Sequence, residues 1–132
     1  MDQQQIKEYL LNKPFTVETS PLGGGGSVFK VKHKMFATLS TGNMNRGNNE
    51  LTDNNDSISW VNLKCDPQEA LMLRDIYPSV IPGYHMSKVH WNSVILDGSI
   101  PQADIQRMID NSFNLVVSNM PSNDQKSIMQ HL

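Results

Sequence analysis

The sequence predicts an α+β chain: two layers, one antiparallel sheet packed with helices. Three observations predict it. Segments of period-two alternation cluster between 15 and 64 with no helical pattern among them. A broad apolar stripe at helical period follows, from Ile105 to Met120. Strands and helices never alternate in a βαβ rhythm, and no segment repeats. The expected order is helix, three or four strands, helix, one or two strands, helix, in a single domain over 1–132. At 132 residues the chain buries enough surface for a core without staples.

Asp2 to Lys13 reads as a first helix. Ile6, Tyr9, Leu10 and Lys13 recur at three- and four-residue spacing, and Pro14 ends the run. Its narrow apolar face predicts a helix laid on another layer. Phe15, Val17 and Thr19 alternate with polar residues, as a short strand does. The run from Pro21 to Ser27, with four glycines, then breaks regular structure. No Gly-Lys-Ser/Thr follows it, and the next pattern is a strand rather than a helix, so a turn fits better than a phosphate cradle.

Val28 to Lys32 alternates, with Phe29 and Val31 to one side and Lys30 and Lys32 to the other. Met35 to Leu39 gives the next strand, so His33-Lys34 is expected at the tip of a tight hairpin. Ser40 to Asp56 is rich in Asn, Gly and Asp and reads as a loop, with Arg46 its only base. Ser57 to Lys64 is a further strand. Val61 and Leu63 share one face, and Ile58 and Trp60 share the other, so a cover is expected on both. Asp66-Pro67-Gln68-Glu69 starts a second helix with a cap, a proline at the first helical position and a capping box, and this helix runs to Ile76.

Val80 to Lys88 reads as irregular, and Trp91 to Leu96 as a late strand. Asp97-Gly98 turns the chain, and Ser99 with Gln102 forms a second capping-box pattern. The third helix carries Ile105, Met108, Ile109, Ser112, Phe113, Val116, Val117 and Met120 on one stripe and ends at Pro121. Ser122 to Leu132 predicts a short last helix with Ile128, Met129 and Leu132 on its apolar side.

Composition narrows the function classes. The 11 basic and 13 acidic residues leave a net charge of −2, so nucleic-acid binding would need a local basic surface. No apolar run is long enough for a membrane span. The N-terminus lacks the basic-then-apolar layout of a signal peptide, and a soluble cytoplasmic protein is expected. A single cysteine excludes an intramolecular disulfide and a cysteine-based zinc site.

Two segments carry candidate chemistry. The hairpin concentrates Lys30, Lys32, His33 and Lys34 without an acid. These are either lysines that discourage edge pairing or phosphate contacts. Tyr84 to Asn92 gathers Tyr84, His85, Lys88, His90, Trp91 and Asn92, again without an acid. It reads as a loop pinned to the core by Tyr84 and Trp91, or as stacking and cationic groups for a nucleic acid. His85 and His90 lack a third ligand at zinc spacing, so no metal and no cofactor is expected. Cys65, at a strand-to-helix junction, is expected to be buried as a small hydrophobe. No catalytic constellation stands out: Asp97 and Asp110 fit a turn and a helix surface.

Several stretches resemble the bacterial MmcQ/YjbR-like family: Val28-Phe29-Lys30-Val31, Lys34-Met35-Phe36-Ala37, and Asn62 to Pro67. Pro82-Gly83-Tyr84-His85-Met86, Lys88 and His90 to Val94 extend the likeness, as do Leu96 to Pro101 and Asp110 to Phe113. The likeness implies a CyaY-like or secretion-chaperone-like two-layer fold. It also carries the family's DNA-binding label, based on a proposed double-wing motif. Frataxin relatives of similar shape bind iron through an acidic first helix. The first helix here offers only Asp2 and Glu8, so that property does not transfer.

The expectation is therefore a DNA-binding module, weak and acting mainly through phosphates. Lys30, Lys32, His33 and Lys34 of the hairpin and Lys88 and His90 of the loop would make the contacts, with Tyr84, His85, Trp91 and Asn92 as the structural motif. The alternative is a protein-interaction or chaperone-like module without catalysis, using the sheet and last helix. A third reading places a small-ligand site around Cys65, His85 and His90. No membrane contact is expected.

Overall fold

A computed structural model describes residues 1–20, 26–44 and 57–132. Six strands form one antiparallel sheet: β1 (Thr16–Thr19), β2 (Gly26–Val31), β3 (Lys34–Gly42), β4 (Ile58–Lys64), β5 (Val80–Pro82) and β6 (Trp91–Ile95). Their spatial order is β1-β2-β3-β4-β6-β5. The helices are α1 (Gln3–Leu11), α2 (Pro67–Ile76), α3 (Gln102–Ser118) and α4 (Ser122–Met129). The order and the two-layer α+β class match the expectation. The glycine run at 21–25 and the Asn-rich segment at 45–56, with Arg46, lie outside the described residues.

Strand register sorts the side chains into two faces. Phe29, Ala37, Leu39, Val61, Leu63, Val80 and Val94 point to one face and are buried. The α3 stripe lies on that face, with all eight expected residues buried. Ile6 and Leu10 of α1 and Ile128 of α4 complete the same core. Phe36 meets Phe113 edge to face at 5.2 Å, tying β3 to α3. Ser112, buried in the stripe, donates to the Phe36 carbonyl at 2.6 Å and accepts from the Lys64 amide at 2.9 Å, so this polar residue is satisfied inside the core.

Several local expectations are corrected. The hairpin turn is Lys32-His33, both at positive φ (46° and 73°), a two-residue turn whose twist matches the strands. A bulge at Phe29/Lys30 shifts the register beyond it. Lys30 pairs with Met35 on the helix-free face, but Lys34 pairs with buried Val31 and belongs to the helix side. Lys32 also turns to the helices: its ammonium is 3.6 Å from Asp124 of α4 and 4.8 Å from the centre of the Phe15 ring. The hairpin bases therefore do not share one face, and an acid does stand beside them.

β3 runs on to Gly42, and a short edge strand, β5, occurs within the stretch expected to be irregular. Asp66 caps α2 by accepting from the Gln68 and Glu69 amides, but no capping box forms there, because the Glu69 carboxylate accepts the Cys65 thiol at 3.7 Å. The capping box is at α1, between Asp2 and Gln5. Ser99 does not cap α3: its hydroxyl donates to Asp97 at 2.6 Å, and Pro101 precedes the helix without a side-chain cap. On α4 only Ile128 is buried, and Met129 and Leu132 are exposed.

Candidate functional site

The expected cover over Trp60 is the segment that follows β5. Gly83 opens it, and the room at its α-carbon is occupied: an added Cβ would lie 2.8 Å from the Trp91 Cβ and 3.0 Å from the Trp91 carbonyl. That closeness lets the Gly83 amide donate to the Trp91 carbonyl at 2.9 Å. The Gly83 carbonyl accepts from the Lys88 ammonium at 2.7 Å, and the Trp91 amide donates to the Ser87 carbonyl at 3.0 Å. A compact loop results, with Trp91 buried beneath it.

Two polar anchors fix this loop. Arg74 of α2 donates from Nε to Asn92 Oδ1 at 2.7 Å, and from Nη2 to the Lys88 and Trp91 carbonyls. Asn92, almost fully buried, donates back to the Ala70 carbonyl at 3.4 Å. On the helix-free face the Tyr84 amide donates to Ser93 Oγ at 2.8 Å, and Ser93 donates to Asn62 Oδ1. Tyr84 then stands edge-on to Trp60 with ring centres 5.5 Å apart. His85, at φ 61°, is exposed with its ring 4.1 Å from that of Tyr84.

The loop therefore covers one half of the helix-free face, over β4 and β6, where Trp60, Asn62, Ser93 and Ile95 are buried. The other half, on β1 and β2, is more open: Val17, Thr19 and Lys30 are exposed. Lys64 also points to this face, paired with Trp91, and lies at nearly the level of Lys30 two strands away. Every carboxylate among the described residues sits on a helix, at a helix cap, in the Asp97 turn or, as Glu18, on the helix side of β1 beside Lys7. The outward residues of the strands and the 83–90 loop carry none. Glu50, Asp53 and Asp56 lie outside the described residues.

The structure places Lys30 on the open half of the helix-free face and His85, Lys88 and His90 in the 83–90 loop that covers the other half. It leaves His33 exposed at the hairpin tip and removes Lys32 and Lys34 to the helix side. Lys88 and His90 are exposed; the Lys88 ammonium also serves its own loop. Tyr84, Trp91 and Asn92 hold the loop in shape. Sequence reasoning missed Arg74 and Lys64. Arg74 had one local signal: it lies four residues after Ala70, on the inward side of α2.

Cys65 is buried, as expected. Burial pushes its thiol up to about 12, and the Glu69 carboxylate, through its charge and its hydrogen bond, pushes the same way, as does Asp66. A groove of about 330 Å³ beside it is lined by Glu69, Asn111, Asn114 and Ser118, and neither His85 nor His90 reaches it. The third reading therefore finds its three residues apart. Among the described residues no three His, Cys, Asp or Glu side chains are grouped to hold a metal, and no helix is long and apolar enough to cross a membrane.

The fold and the loop define a class: a two-layer α+β protein whose sheet carries helices on one face and a polar, arginine-anchored cover on part of the other. The chain belongs to the YjbR family, whose family model matches residues 11–115. It is 37% identical over 132 residues to a protein of Escherichia coli O157:H7 named YbdF, covering 97% of this chain and 98% of that one. It is 27% identical to the YjbR protein of Escherichia coli strain K12, covering 96% of each. The crystal structure of a Deinococcus radiodurans protein with the DUF419 domain superposes with a TM-score of 0.76 at 27% identity, over 95% of this chain and 86% of that one. A crystal structure of a Pseudomonas syringae protein gives 0.75 at 28% identity, over 88% and 99%.

Proposed function

We propose that this chain is a weak, non-catalytic DNA-binding module. The helix-free face contacts phosphates through Lys30 and Lys64, with Lys88 and His90 adding contacts from the adjoining loop. One observation carries the reading: among the described residues, the carboxylates are confined away from a face that presents lysines and hydroxyls. In a chain of net charge −2, that separation leaves a locally positive surface able to attract phosphate. The high pKa of Cys65 fits a module without a thiol nucleophile.

Titrating a labelled oligonucleotide at several salt concentrations tests it. With about three phosphates neutralised, log affinity should fall against log salt with a slope of roughly −2 to −3. Lys30→Ala with Lys64→Ala should flatten that slope by about 1.4 to 1.8 while the fold persists. No binding at low salt, or an unchanged slope in the double variant, refutes the reading.

A protein-interaction module is the second reading, and a different observation favours it. The outward side of α2 bears Leu71, Met72 and Ile76, exposed at 63%, 60% and 58%. Three large apolar side chains on one short helix are more than scattered surface hydrophobes. Sedimentation across a concentration series tests self-association, with Met72→Lys expected to abolish any dimer.

A further inference from the structure

Resting on the nucleic-acid reading above, we propose that the helix-free face takes an unpaired strand rather than a duplex, with one base stacked on the His85 ring that Tyr84 backs. Three features carry this. First, no described element is placed to enter a groove from this face. All four helices pack on the opposite side, and the hairpin tip is held toward α4 through Lys32 and Asp124. A broad sheet face follows a single backbone, whereas reaching base edges in the major groove of a duplex takes a helix or a projecting two-stranded ribbon.

Second, the cations are spaced across the strands. Lys30 on β2 and Lys64 on β4 lie two strands apart, about 10 Å at the usual strand spacing. A strand crossing the sheet would meet both. Beyond Lys30, Val17, Thr19 and Val28 continue this face, and among the described residues its outward strand positions carry no carboxylate.

Third, aromatic rings stand over the β4 and β6 half of the same face. Trp60, Tyr84 and His85 form a row running outward: Trp60 is buried, Tyr84 half-buried against it at 5.5 Å, and His85 exposed at 4.1 Å from Tyr84. The bonds from the Tyr84 amide to Ser93 and from Arg74 to the Lys88 carbonyl fix the backbone on either side of His85 before any ligand arrives. An exposed imidazole packed at 55° against Tyr84 keeps its outer face for a base, and only an unpaired base has a free face to meet it.

The test uses the whole chain and three labelled probes of equal length: oligo-dT, a duplex and an abasic sugar–phosphate strand. Oligo-dT should bind at least about fivefold tighter than the abasic strand, since stacking one base is worth that much or more. It should also bind tighter than the duplex. His85→Asn, chosen because Asn tolerates the same left-handed backbone, should cut oligo-dT affinity by a similar factor while leaving the salt slope and the abasic affinity unchanged. Equal binding of oligo-dT and the abasic strand overturns the stacking proposal, whether or not the variant folds. Duplex binding as tight as oligo-dT overturns the strand preference while the phosphate reading stands. No binding of any probe refutes both.

Discussion

Arg74 and Asn92 lock α2 to the sheet: the guanidinium Nε donates to Asn92 Oδ1 at 2.7 Å. The same guanidinium reaches the Lys88 and Trp91 carbonyls, while Asn92 returns a bond to the Ala70 carbonyl. One planar fork thus satisfies a buried side-chain amide and two loop carbonyls, which a point-charge ammonium cannot do with the same geometry.

Arg74→Ala should therefore destabilise the protein by about 1–3 kcal/mol, because it leaves the buried Asn92 Oδ1 unpaired. Arg74→Lys should recover less than half of the loss. Urea unfolding of the three proteins measures this. A variant midpoint equal to wild type would mean that the loop does not depend on α2.

What the sequence made legible follows from the range of the interactions involved. The α3 stripe was readable because one flat contact with the sheet repeats at helical period, and every residue from Ile105 to Met120 on that stripe is buried. The cover over Trp60 was inferred from alternation alone, and Tyr84 supplies at least part of it. Of the hairpin lysines, Lys30 keeps its expected face, but Lys32 and Lys34 were misassigned because their directions depend on a bulge and on Asp124, an acid 92 positions beyond Lys32. Arg74 was overlooked because its partners lie 14 to 18 positions away, across a turn and a strand. Neither tertiary recruitment leaves a periodic trace.

Gly83 is held by space rather than by backbone conformation. Gly83→Ala forces a Cβ to within 2.8 Å of the Trp91 Cβ, against backbone that is hydrogen-bonded on both sides. A loss of about 1–3 kcal/mol is expected, as for overpacking. Gly98 is the converse case: nothing lies within 4 Å, but its φ is +84°. Gly98→Asn should be nearly neutral, since Asn accepts that conformation. Thermal melts of the two variants separate the mechanisms, and a neutral Gly83→Ala would show that the loop yields.

Cys65 offers a prediction in pH. Its thiol is held at about 12, first by burial and then by the Glu69 carboxylate. The folded state therefore keeps a proton that the unfolded chain releases near 8.5. A raised pKa contributes stability that is complete below the unfolded value and is lost as pH rises toward the folded one. Between pH 8.5 and 10 stability should fall by up to about 1.4 kcal/mol per unit, and Cys65→Ala should remove that decline. Above pH 10 Tyr9, raised to about 12 by burial and Asp110, adds a second loss of the same sign. Alkylation by iodoacetamide at pH 8 gives the direct measure: the folded thiol should react on the order of a thousandfold more slowly than in urea. Glu69→Gln should speed it by removing the facing negative charge. Rapid labelling of the folded wild type would place the thiol outside its assigned burial and overturn the linkage.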